Sequence, residues 1–146
     1  MPEFRLIYIS TAVDMFTAED LERLTEGSAA RNSATGLTGM LLYAGGIFLQ
    51  ALEGDREVVE AIYAKIAQDP RHTWLKVLQS SEITERMFVG WSMTLCNFEE
   101  ESAALRTELE AAVRFLDICE GIDVDLKSKN IIRFFRNKSE AARPAA

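Results

Sequence analysis

A chain of 146 residues with 48% hydrophobic and 27% charged side chains is long enough for one packed core and short for two. That composition excludes a disordered, collagen-like or disulfide-built protein, and Cys96, Cys119 and the single His72 are too few to ligate a structural zinc. The net charge of −7 argues against a nucleic-acid backbone as partner, because binding phosphates takes Lys and Arg to displace counterions.

The amino terminus lacks a basic region followed by an apolar run, and the longest apolar stretch, residues 39–52, is broken at Gly45-Gly46. The sequence therefore predicts a soluble cytoplasmic chain with no membrane segment. Phe4 to Ser10 reads as a strand apolar on both sides, with Tyr8 on the face of Phe4 and Leu6. Thr17 to Asp20 offers a helix cap, with Leu21 and Leu24 behind it at helical spacing, and this helix should run to about Asn32. Gly36 and Gly39 bracket a turn into residues 40–43, and Ala44-Gly45-Gly46 returns the chain through 47–52 as a hairpin. Asp55 caps a second helix whose stripe is Val59, Ile62 and Ile66, and Asp69-Pro70 ends it. Strands are expected around 74–83 and 90–96.

This order predicts an α+β, ferredoxin-like fold: a mixed five-stranded sheet with two helices on one face. The other face needs a cover, supplied by a helix over 102–119 that aligns Leu105, Leu109, Ala112, Val113, Leu116 and Cys119. A last helix at roughly 123–137 presents Ile131, Ile132, Phe134 and Phe135. The chain thus divides into a body, 1–98, a helical extension, 99–137, and a flexible tail, 138–146. Residues 127–146 carry net +5, six Lys and Arg against one Glu, which leaves −12 on the rest. The stretch Lys127–Lys138 suits an acidic partner protein or a second copy of the chain.

Several polar residues sit awkwardly in this scheme. Gln50 alternates with Phe48 and Leu52 on an apolar strand, where a buried amide without partners costs about 1–3 kcal/mol. A neighbouring backbone, a ligand or the Tyr8 phenol would each satisfy it. Ser28, Arg31 and Asn32 gather at the end of the first helix, either as a solvated terminus or as an edge that holds a planar ligand. Trp91 and Met93, read as residues of one strand, share a face about 7 Å apart at ~3.3 Å per residue.

The blocks RLIY at 5–8, RNSATGLTGMLLY at 31–43, FLQALEG at 48–54, DPRH at 69–72 and RMFVGWSM at 86–93 occur in order. In these blocks the sequence resembles the BLUF family of blue-light sensors that use flavin. The resemblance implies a flavin, FAD or FMN, held between the two helices. Tyr8 would be the photochemical electron and proton donor and Gln50 the relay that bridges it to the ring. Ser28, Arg31 and Asn32 would meet the ring edge, Ile66 its face, and Asp69, Arg71 and His72 the ribityl and phosphate end. Arg31 departs from the Asn or His common at its position. Trp91 and Met93 would exchange beside Gln50 and signal to the helices after residue 98, which would act on a separate downstream protein or a second copy as a homo-oligomer.

The competing reading is a non-photochemical ferredoxin-like interaction or small-ligand module, which predicts a colourless protein. An enzyme has little support, for there is neither a Gly-x-Ser-x-Gly turn nor a phosphate-cradling Gly-x-x-x-x-Gly-Lys loop. No metal site is expected.

Overall fold

The computed structural model describes residues 3–99 and 106–142. In chain order its elements are β1 (Glu3–Ala12), α1 (Ala18–Thr35), β2 (Thr38–Ala44), β3 (Ile47–Gly54), α2 (Arg56–Ala67), β4 (His72–Ile83), β5 (Thr94–Asn97), α3 (Arg106–Glu120) and α4 (Leu126–Ala141). The strands form one sheet in the order β4-β1-β3-β2-β5, antiparallel throughout except for the parallel pair β2–β5. This is the mixed five-stranded, ferredoxin-like arrangement that the alternation of elements predicts.

At α1, α2 and α4 the helix starts where a side chain satisfies its free amides. The Thr17 hydroxyl accepts from Asp20 N at 3.0 Å while the Asp20 carboxylate accepts from Thr17 N at 3.0 Å, a reciprocal cap. The other two caps run one way: Asp55 accepts from Glu57 N and Val58 N at α2, and Asp125 accepts from Ser128 N at α4. α1 stops at Gly36, whose φ of 78° lies in the left-handed region that glycine enters without a Cβ penalty. At Gly39 the need is space: a Cβ there would lie 2.2 Å from the carbonyl oxygen of Ala51 on β3.

Strand alternation divides the core in two. On the front face Phe4, Leu6, Tyr8, Leu41, Phe48 and Leu52 pack against Leu21 of α1 and Val59 and Ile62 of α2. On the back face Ile7, Ile9, Met40, Leu42, Leu49 and Ala51 pack against Phe115, Leu116, Cys119, Ile132 and Phe135 of α3 and α4. The thiols of Cys96 and Cys119 both lie in this back layer, and burial pushes each up to about 12.

Three expectations need correction. β5 begins only at Thr94, so Trp91 and Met93 lie outside any strand and do not share a face: Trp91 packs with the back cluster and Met93 with the front. The reason is a turn at 88–91, where Gly90 has φ 80° and Trp91 N donates to Phe88 O at 3.1 Å. In α3, Phe115 rather than Val113 completes the buried stripe, while Leu105 falls outside the described residues. α4 continues past residue 137 to Ala141, because Ser139 lies one turn beyond Phe135 and is fully buried, its hydroxyl donating to Arg136 O at 2.7 Å. The proposed tail thus starts inside a helix, and residues 143–146 lie outside the described residues.

Candidate functional site

α1 buries only one large apolar side chain, Leu21, and with it two polar ones, Ser28 and Asn32. A helix that spends its inward face on polar groups is shaped by something other than packing. Between α1 and α2, over the front of the sheet, lies a cavity of about 310 Å³. Its floor is Tyr8, Leu41, Phe48 and Gln50. α1 contributes Arg23, Leu24, Gly27, Ser28 and Arg31, α2 contributes Lys65 and Ile66, and Phe16, Asp69, Arg71 and His72 complete the lining.

Tyr8 and Gln50 face each other across the β1–β3 pair, and both are buried. The phenol O–H donates to Gln50 Oε1. The other half of the amide, Nε2, donates to the Met93 thioether at 3.6 Å. In this structure the amide oxygen faces Tyr8 and its nitrogen faces Met93. Burial pushes the Tyr8 hydroxyl far above its ordinary value, with Tyr63 and Asp69 adding and Arg31 opposing, so the phenol holds its proton at neutral pH. Tyr63 of α2 meets the Tyr8 ring edge-on with centroids 5.2 Å apart.

The far end of the cavity is charged. Asp69 and Arg71 form a forked pair, with Arg71 Nε at 3.0 Å from both carboxylate oxygens and Nη2 at 2.5 Å from Oδ2. The Arg71 hydrogen bonds hold the Asp69 carboxyl at about 2, well below the usual range. His72 Nε2 lies 2.7 Å from the carbonyl of Ile66; a carbonyl only accepts, so Nε2 carries the proton. Nδ1 then accepts from the Ser10 hydroxyl at 2.8 Å when the ring is neutral.

Tyr8, Ser28, Arg31, Gln50, Ile66, Asp69, Arg71 and His72 thus line one cavity. Asn32 does not line it. Its Nδ2 donates to Ser92 O at 2.6 Å, while its Oδ1 is buried without a partner. Arg31 Nε is likewise buried and unpartnered. Met93 touches Gln50, whereas Trp91 lies with the back-face cluster. Sequence reasoning passed over Arg23 and Lys65, since a charged residue on a helix surface carries no signal of what it faces. It also passed over Phe48 as a lining residue, although alternation with Gln50 had already placed it on that face. Among the described residues no group of three His, Cys, Asp or Glu side chains is placed to hold a metal, and no helix is long and apolar enough to cross a membrane.

A cavity floored by a buried phenol–carboxamide pair and charged at its far end defines a module that holds a polar, anionic cofactor. The family model described as "Sensors of blue-light using FAD" matches residues 4–94. The chain belongs to this BLUF family of flavin-binding blue-light sensors. It is 38% identical over 90 residues to photoactivated adenylate cyclase subunit beta of Euglena longa, covering 61% of this chain and 10% of that protein. The chain spans about a tenth of the length of the curated relatives it matches. Among solved structures, BlrB, a BLUF protein in its dark state, superposes with a TM-score of 0.64 at 33% identity, over 75% of this chain and 82% of that one. A bacterial light-regulated adenylyl cyclase superposes with a TM-score of 0.65 at 33% identity, over 82% of this chain and 36% of its own length. BlsA in its photo-activated state gives 0.65 at 28% identity, with 99% of both chains covered.

Proposed function

We propose that this chain senses blue light through the Tyr8–Gln50 pair. A bound flavin absorbs blue light and, once excited, becomes a strong oxidant. Tyr8 lies where it can give up an electron, and its proton is already directed at Gln50 Oε1. Passing that proton to the amide changes which groups Gln50 can donate to and accept from, and rotation or tautomerisation of the amide ends its bond to Met93. The electron and a proton then return to Tyr8, so the lasting change is in hydrogen bonds alone; absorption shifts slightly to the red and returns in darkness.

Residues on hand fit the group. Asn32 stands behind the cavity lining with Oδ1 unpartnered and Nδ2 spent on Ser92, so it would meet the ring's imide edge only after its side chain turns toward the cavity. The unpartnered Arg31 Nε is a donor for a carbonyl at the same edge. Leu41, Phe48 and Ile66 supply apolar walls, and Lys65, Arg71 and His72 gather at the end suited to phosphate. Within this reading the chain is a sensor rather than an enzyme, works in the cytoplasm, and signals through α3 and α4 to a separate protein or a second copy.

The observation that carries the proposal is the phenol-to-carboxamide bond in a cavity, with the amide's other end resting on a thioether. Spectra of the purified chain in darkness and after blue illumination test it. A yellow protein with a reversible red shift is expected. In Tyr8→Phe the shifted product should form at a yield lower by about 100-fold, the scale of removing a positioned proton donor. A colourless protein favours the non-photochemical module, and a full shift in the variant removes Tyr8 from the mechanism.

A further inference from the structure

Residues 84–93 between β4 and β5 form a strap without helix or strand, yet they reach both faces of the sheet. Met93 rests on Gln50 in front, and Phe88 packs behind, its ring edge-on to Phe115 of α3 with centroids 5.6 Å apart. Irregular backbone must still pair its amides. Two of those amides end on a side chain: Met87 N and Phe88 N each donate to Glu53 Oε1 at 2.9 Å. Glu53 sits on β3 three residues after Gln50, on the opposite face, with no solvent exposure. Its other oxygen accepts from Arg5 Nε and Nη2, both at 2.8 Å. The strap is further held by Arg86, which donates to Glu3 at 3.0 Å and to Gly36 O at 2.7 Å, by Gly39 N on Trp91 O at 3.0 Å, and by Asn32 on Ser92 O.

A buried ion pair is a poor source of stability, since well-packed apolar residues of similar size commonly do as well. Stability therefore leaves Glu53 unexplained, whereas its hydrogen bonds fix one stretch of backbone between the relay and the helix. We propose that Glu53 is a positioning residue for the switch: it latches the strap at Met87 and Phe88, so that losing Met93 from Gln50 displaces Phe88 against Phe115. This rests on the photochemical reading above. The latch favours the arrangement in which Met93 meets Gln50, and loosening it should ease passage between the two arrangements.

The test uses the full flavin-bound chain and Glu53→Gln, which can neither hold the Arg5 charge nor serve both amides as strongly. The flavin and the red shift should persist. Hydrogen exchange at Met87 and Phe88 in darkness should quicken at least tenfold, dark recovery at least threefold, and the light-induced change in exchange over α3 should vanish. Phe88→Leu keeps the latch, and there recovery should stay within twofold while the α3 response is lost; this variant also carries the test if Glu53→Gln does not fold. Unchanged exchange at 87 and 88, or faster exchange with recovery and α3 response as in the unsubstituted chain, overturns the latch, as does an intact α3 response in Phe88→Leu. Absence of any red shift in the unsubstituted chain overturns the photochemical reading and the latch together, and is recognised because it needs no substitution.

Discussion

The two faces of the sheet are built from the same strands and have opposite characters. Behind, Ile7, Ile9, Leu42 and Leu49 meet Phe115, Leu116, Ile132 and Phe135 in a layer whose main polar interruption is the Arg5–Glu53 pair. In front, the neighbouring residues of those strands face a cavity, with Gln50, Ser28 and Asn32 buried around it. Alternation along β1 and β3 gives one strand a structural side and a chemical side. The back layer supplies the rigidity that lets the front face leave space unfilled.

If that division is right, damage should be of different kinds on the two sides. Phe135→Ala behind should cost about 3–5 kcal/mol, the range for truncating a buried aromatic, measured by urea unfolding of the flavin-free chain. Ile66→Ala in front removes a partly buried side chain beside an existing cavity, so the same measurement should give about 1 kcal/mol, while flavin affinity falls clearly in an equilibrium titration. Equal losses at both positions would erase the distinction. The smallest effect is at the cavity's charged end. Asp69 is depressed in the folded state, so its contribution is complete above the unfolded value near 3.8 and is lost as pH falls through about 2. Asp69→Asn should lower the melting temperature slightly at pH 7, where that contribution is complete, and flatten its dependence on pH between about 3.8 and about 2.

Much of this was legible in the sequence. The hairpin followed from two apolar runs around Gly45-Gly46, and the faces of β1 and β3 followed from alternation, which put Tyr8 and Gln50 among apolar neighbours. Their meeting across the β1–β3 pair did not follow, because register is a long-range property that two isolated strands do not display. Trp91 and Met93 were misread for a related reason. The segment looks extended and apolar, but its path is set by Glu53, Asn32 and Gly39, residues 34 to 60 positions away, and by the turn at Gly90. Periodicity sees neighbours along the chain and cannot see a carboxylate on another strand. The end of α4 was placed too early because Lys138, Ser139 and Glu140 are polar by type, whereas Ser139 is buried by position.

The two back-layer thiols have a practical use. Cys96 and Cys119 are shut off from solvent and burial holds their thiols protonated at neutral pH, so neither should react with a disulfide reagent while α3 stays seated. Their modification rate is thus a native clock for how often that helix lifts from the sheet, and comparing the rate in darkness and under a blue lamp times the motion without attaching any probe.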